Sequence, residues 1–157
     1  MLVVVALALV TAFGVTSPVF QRGQTIPVEY TCDGVNVSPA LRWSAPPTGT
    51  KSFALIMDDP DAPGGTFTHW LAWNISPKAR GLKRGARPPR EGTTGFARTG
   101  YGGPCPPPGT SHRYVFKLYA LRAPLALPAG AGRPALERAM KGKVVRRATL
   151  VGLYGRS

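Results

Sequence analysis

Two aspartates, two histidines and a tyrosine are the side chains of this chain that could do chemistry together. Asp59 and Asp61 flank Pro60 in the run DDPDAP, which Pro63 closes. Proline fixes its own φ, lacks an N–H and restricts the residue before it, so this run cannot be helical. It reads as a stiff extended loop that aims carboxylates. His69 follows in TFTHWLAWNI, and His112 and Tyr114 open HRYVFKLYAL. Between them lies GYGGPCPPPG, whose glycines let backbone N–H groups approach a ligand and whose prolines stiffen the surround. Consecutive amides there, around Gly103, can form an anion-binding nest. Imidazole N–H, phenol and amide groups are all donors to an oxyanion. Bare carboxylates repel one, so at least one of Asp59 and Asp61 is expected to hold a histidine N–H in place. The other could meet an ammonium group. No GKS or GKT follows the glycines, which excludes a Walker loop.

The elements that must position these groups read mostly as strands. Ser52–Met57 is a continuous apolar run suited to a central strand. Phe67–Ile75 predicts the next strand, with Phe67, His69, Leu71, Trp73 and Ile75 on one face at period two. In the third, His112, Tyr114, Phe116 and Leu118 share a face, and Val144–Tyr154 predicts the last. A broken strand is expected over Phe20–Tyr30 and a short one at Leu41–Trp43. Residues 77–98 read as a long basic surface loop. Arg133–Lys141 predicts one short helix, with Pro134 in its first turn and Gly142 as its stop. His69 and His112 therefore both start strands that run on into core, and rigid loops converge beside them.

With 157 residues, 19 glycines and 17 prolines, the chain fits one turn-rich domain rather than a helix bundle. Its charge is lopsided. Up to residue 75, Arg22, Arg42 and Lys51 against Glu29, Asp33, Asp58, Asp59 and Asp61 leave −2; beyond it, 17 basic residues against Glu91 and Glu137 leave +15. Such a field attracts anionic surfaces, but no nucleic-acid motif accompanies it. The opening MLVVVALALVTAF is too short to span a bilayer, which needs about 20 apolar residues. It resembles the apolar core of an export signal, so residues 1–16 are expected as a leader and 17–157 as the domain. A periplasmic or secreted location is favoured over the cytoplasm. Cys32 and Cys105 could pair in an oxidising compartment or remain small buried thiols, and the sequence leaves both readings open.

Taken together, YTCDGVNVSPALRW, DDPDAP followed by THW, GYGGPCPP, HRYVFKLYAL and LVGLYGR resemble the phosphatidylethanolamine-binding protein family, in its bacterial and archaeal Raf-kinase-inhibitor-like branch. The resemblance covers about residues 17–155. It implies a mainly β, Greek-key sandwich of two sheets with a small anion pocket at one edge. The pocket would accept phosphate or a phospholipid head group such as phosphoethanolamine. The positions that match the family's pocket are Asp59, Pro60, Asp61, His69, Gly103, Pro104, His112 and Tyr114. Cys32 and Cys105 match cysteines of the prokaryotic branch near that pocket. The chain departs from the family at Thr94-Gly95-Phe96-Ala97, where an N-D-F-G-like segment is usual, and at Lys143, where many relatives carry histidine.

No cofactor, metal or catalytic residue is assigned. Two aspartates and two histidines could ligate a metal, and Cys105 with His112 could make a thiol–base pair. The prolines of DPDAP, however, suit orientation rather than chelation, and Cys105 has no evident oxyanion partner. The second reading is a protein-interaction module that inhibits a serine protease or another enzyme. A protein partner and a homodimer are left open.

Overall fold

A computed structural model of the protein describes residues 12–157. The expected leader falls mostly outside the described residues, but its last few lie in the sandwich. Phe13 is buried and stacks on Phe53, ring centroids 6.1 Å apart. Strand β1, Val15–Thr16, pairs antiparallel with β2, Leu41–Trp43.

Two antiparallel sheets carry the fold. The smaller has the order β1-β2-β5, with β5 at Gly81–Leu82. The larger has the order β6-β4-β3-β7-β8: β3 is Ser52–Asp59, β4 Phe67–Ile75, β6 Arg90–Glu91, β7 Ser111–Leu121 and β8 Val144–Gly155. All eight residues of β3 are buried, as a continuous apolar run in mid-sheet requires. Phe53, Leu55 and Met57 face the smaller sheet, where Trp43 meets Phe53. Ala54 and Ile56 face Leu136 and Met140 of helix α1, Arg133–Met140, which covers the other side. Gly142, at φ 77, follows that helix in the left-handed conformation that ends it.

Three local expectations are corrected. Phe20–Tyr30 is not a strand. Gly23 takes φ 76, Pro27 offers no N–H, and Val28–Tyr30 is a 3-10 turn; only Thr25 bridges to Leu153. Residues 77–98 are not one loop, because β5 and β6 tie them to the two sheets, and Trp70 Nε1 donates to Glu91 at 2.8 Å. Nor does DDPDAP begin as a loop: β3 runs through Asp58 and Asp59. Adjacent strand residues point to opposite faces, so these two carboxylates part company. Asp58, 1% exposed, turns toward the helix side and is held by Lys117 at 2.9 Å and by Arg133. Paired twice, its charge is tolerated in the interior.

Strand β4 breaks its own alternation. Met57 pairs with Trp70 but Asp58 pairs with Thr68, which leaves His69 as an extra, bulged residue. A second shift falls between Ala72 and Ile75, where Asn74 takes φ 55. Trp70, Ala72 and Ile75 therefore face the smaller sheet, while Leu71 and Trp73 face the helix. His69 packs with Tyr114 on the inner side, not in the row of Leu71 and Trp73.

Candidate functional site

Where β3 ends and β7 begins, a cleft of about 290 Å³ opens among Asp59, His69 and His112. Ala62, Pro63, Phe67, Phe96, Pro106 and Pro107 supply its apolar walls, and Cys105 part of its rim. Asp59 is 4% exposed and uses both oxygens. One lies 2.7 Å from His112 Nδ1; the other accepts the Asp61 backbone N–H at 2.8 Å. That second bond closes an Asx-type turn over Pro60, which is why a proline between two aspartates is useful here. The first bond requires the His112 proton on Nδ1, because a carboxylate only accepts. His112 Nε2 is left as the nitrogen for the cleft.

His69 is oriented differently from what the sequence suggests. Its Nδ1 donates to the Gly102 carbonyl at 2.7 Å rather than to a carboxylate, and Gly102 N–H returns a bond to the His69 carbonyl at 3.0 Å. Burial pushes its pKa below the usual histidine value, outweighing the Gly102 bond and the nearby Asp59 charge. A neutral ring with Nδ1–H presents Nε2 as an acceptor. The ring stands edge-on to Phe67, Phe96 and Tyr114, with centroids 5.1, 5.2 and 5.3 Å away.

Tyr114 is fully buried beside His112, behind the residues that line the cleft; its hydroxyl has the Cys105 backbone and the Asp59 carboxylate as polar neighbours but makes no hydrogen bond of good geometry with either. It is the sole buried side-chain oxygen or nitrogen so placed among the described residues. Burial first, and then the Asp59 charge, raise its pKa, so it is a neutral phenol and a donor.

The remaining expected residues have other tasks. Asp61 faces away from the cleft. Its oxygens take the backbone N–H of Arg113 at 2.9 Å and the guanidinium at 2.9 and 2.8 Å, and that pairing holds its carboxyl at about 2. It is not free to meet an ammonium group. Gly103 N–H, expected as an anion donor, goes to Asn36 Oδ1 at 2.8 Å. A Cβ at Gly103 would collide with the Tyr30 carbonyl oxygen, so glycine is there for close approach. The Pro104 carbonyl accepts Cys32 N–H at 3.1 Å. Cys32 and Cys105 form a disulfide with Cα atoms 5.4 Å apart. It pins the glycine-rich loop to the 31–36 turn and leaves no thiol for a pair with His112.

Sequence reasoning missed the apolar walls. Phe67 has the signal of a strand's first residue only. Phe96 sits in the segment that departs from the family pattern, where Thr94 Oγ1 accepts the Phe96 N–H at 3.3 Å and donates to the Arg98 carbonyl at 3.2 Å. Phe96 lies over Gly102, where a Cβ would meet the ring, and the Arg98 guanidinium lies 5.6 Å from its centroid. Among the described residues no three His, Cys, Asp or Glu side chains converge as metal ligands. No helix among them is long and apolar enough to cross a membrane.

Similarity to known proteins agrees with this fold. A protein from Aquifex aeolicus named only as a UPF0098 protein is 49% identical over 145 residues, covering 87% of this chain and 85% of its own length. A Mycobacterium tuberculosis relative that carries the lipoprotein name LppC is 41% identical, covering 89% and 71%. The crystal structure of the phosphatidylethanolamine-binding protein homologue CT736 from Chlamydia trachomatis superposes with a TM-score of 0.89 at 38% identity, covering 93% of this chain and 99% of that one. Escherichia coli YbcL, described as a new member of the mammalian PEBP family, gives 0.86 at 30% identity, covering 92% and 99%. None of these names states an enzymatic activity, and the lipoprotein name points weakly to the cell envelope. The family model for phosphatidylethanolamine-binding protein matches residues 16–155, and this chain belongs to that family.

Proposed function

We propose that the cleft binds a singly charged phosphoryl group, as free phosphate or as the head group of a phospholipid, and that no bond is made or broken there. The observation that carries this reading is the Tyr114 hydroxyl, buried without a partner beside two imidazoles whose Nδ1 atoms are already engaged. A buried hydroxyl left unsatisfied costs about 1–3 kcal/mol, which a ligand oxygen would recover. The three free positions differ in kind. Tyr114 donates. Neutral His69 accepts, and so suits a protonated phosphoryl oxygen. His112 donates to an anion only when both its nitrogens carry protons, with Asp59 as counter-charge. For free phosphate such a set favours the partly protonated anion over the fully ionised one; a diester head group, which has no proton to give His69, would be held by Tyr114 and by protonated His112 alone. The disulfide speaks against a thiol-dependent hydrolase, since it removes the Cys105 thiol that such a reading would need.

Binding is expected to strengthen as pH falls, because anion binding is then linked to proton uptake. A phosphodiester separates the sources of that effect, since it has no ionisation between pH 8 and 5.5, whereas a phosphate monoester has its second pKa at about 6. Calorimetric titration of glycerophosphoethanolamine and of inorganic phosphate across this range tests the reading. Strengthening of both supports it. No strengthening for the diester means that His112 does not take part.

A further inference from the structure

The half of the larger sheet that α1 does not cover has no use in the reading above. On β7 the residues opposite the buried His112–Ala120 row are Arg113, Val115, Lys117 and Tyr119. Their partners on β8 are Leu153, Val151, Thr149 and Arg147. Paired residues share a face, so Val115, Val151 and Leu153 form an apolar strip down its centre. All three are half-buried, and they belong to neither hydrophobic cluster. Basic side chains frame the strip. Arg147 is exposed at one end; Arg138 and Lys141 line a groove of about 570 Å³ between α1 and the strands. Arg138, Lys141 and Arg147 pair with no carboxylate among the described residues. Arg22 joins them at the β8 edge by bonding the Thr149 carbonyl.

We propose that this face docks on an anionic phospholipid bilayer. A flat apolar strip with a cationic frame matches the two layers it would meet. The valines and leucine reach the acyl boundary while the basic groups stay among the head-group phosphates. Nucleic acid would satisfy the cations but leave the apolar strip against phosphates. A second copy would bury the strip but bring like charges together. The face also runs up to the cleft, because Arg113 bonds Asp61 in the loop whose Ala62 and Pro63 form a cleft wall.

The test is partition of the disulfide-bonded protein onto phosphatidylcholine vesicles with and without phosphatidylglycerol, at two salt concentrations. Binding is expected only with phosphatidylglycerol and weaker in salt. The triple variant Arg138→Glu, Lys141→Glu, Arg147→Glu should lower it by at least about a hundredfold. The control triple Lys78→Glu, Lys83→Glu, Arg87→Glu has the same net charge but lies on the segment of β5, so it should lose far less. Equal loss from both triples overturns the proposal in favour of undirected net charge. A Leu153→Trp reporter should blue-shift on these vesicles against the buried Trp43, Trp70 and Trp73. An unchanged spectrum overturns insertion of the strip. Tighter binding to duplex DNA than to vesicles at equal salt, or dimerisation that the first triple abolishes, also overturns it. If His112→Ala abolishes partition, the lipid is held by the cleft and not by this face.

Discussion

Replacing Tyr114 by Phe should make the unliganded protein more stable and make it bind phosphate worse. The two effects have opposite signs because one oxygen causes both. The side chain is fully buried and its hydroxyl makes no hydrogen bond of good geometry, so the folded state carries the desolvation of a phenol with little returned. That penalty is about 1–3 kcal/mol. Phenylalanine keeps the ring, its edge-on contact with His69 and its stacking beside His112, and leaves no large cavity. For a chain of this length each kcal/mol moves Tm by about 2–4 °C, so a rise of several degrees is expected by calorimetry without phosphate. At one fixed phosphate concentration the wild type should gain more than the variant, since stabilisation by a ligand grows with the logarithm of its concentration over Kd. A lost donor to an anion costs about 1.5–3 kcal/mol, or roughly tenfold to a hundredfold in Kd. Two results would refute the reasoning. If the variant melts lower without ligand, the hydroxyl has a partner in solution and was never orphaned. If it melts higher but binds phosphate as before, the orphan is real and the ligand does not use it.

Asp59→Asn should weaken phosphodiester binding, since His112 then loses the carboxylate that holds its Nδ1 proton and ring orientation; stronger binding at every pH would mean that Asp59 only repels the ligand. Ala97 takes φ 57, a left-handed conformation costing a non-glycine residue about 1–2 kcal/mol. Ala97→Gly should therefore stabilise by about 0.5–1 kcal/mol after the extra freedom of glycine in the unfolded chain is counted, read as a higher denaturant midpoint at unchanged slope. The disulfide spans 73 residues, and closing a loop of that length constrains the unfolded chain by about 4 kcal/mol. Cys32→Ser with Cys105→Ser should lose much of that in urea unfolding and should also weaken phosphate binding, since Cys105 is part of the cleft wall. The buried, neutral His69 has its folded pKa below its unfolded one, so its stability is whole above about pH 6.5 and is lost as pH falls below that. His69→Gln should flatten that part of the stability–pH curve; an unaltered slope would place the proton uptake elsewhere.

The sequence by itself determined the kind of protein this is. The unbroken apolar run at Ser52–Met57 suited a buried central strand, and alternation in HRYVFKLYAL marked which side of β7 is core. Pro134 and Gly142 bounded the helix to within a residue. Asp59, His69, His112 and Tyr114 could be picked out because polar groups at the start of core-facing rows need a reason, and the family resemblance supplied their company. What only the tertiary structure decided was the direction in which each group points. One inserted residue in β4 moves His69 off the row of Leu71 and Trp73, and no local signal in TFTHWLAWNI marks that bulge; it arises from register against β3. The same holds for the acids. DDPDAP offers three carboxylates of equal intrinsic character, and their fates are set by distant cations and an imidazole. Asp58 goes to Lys117 and Arg133, Asp59 to His112, and Asp61 to Arg113. Gly103 looked like an amide donor but serves as a point of closest approach, because its N–H was claimed by Asn36, 67 residues away. Chain periodicity is a local property that residues carry with them, whereas hydrogen-bond partnership is a contest among all groups the fold brings within about 3 Å.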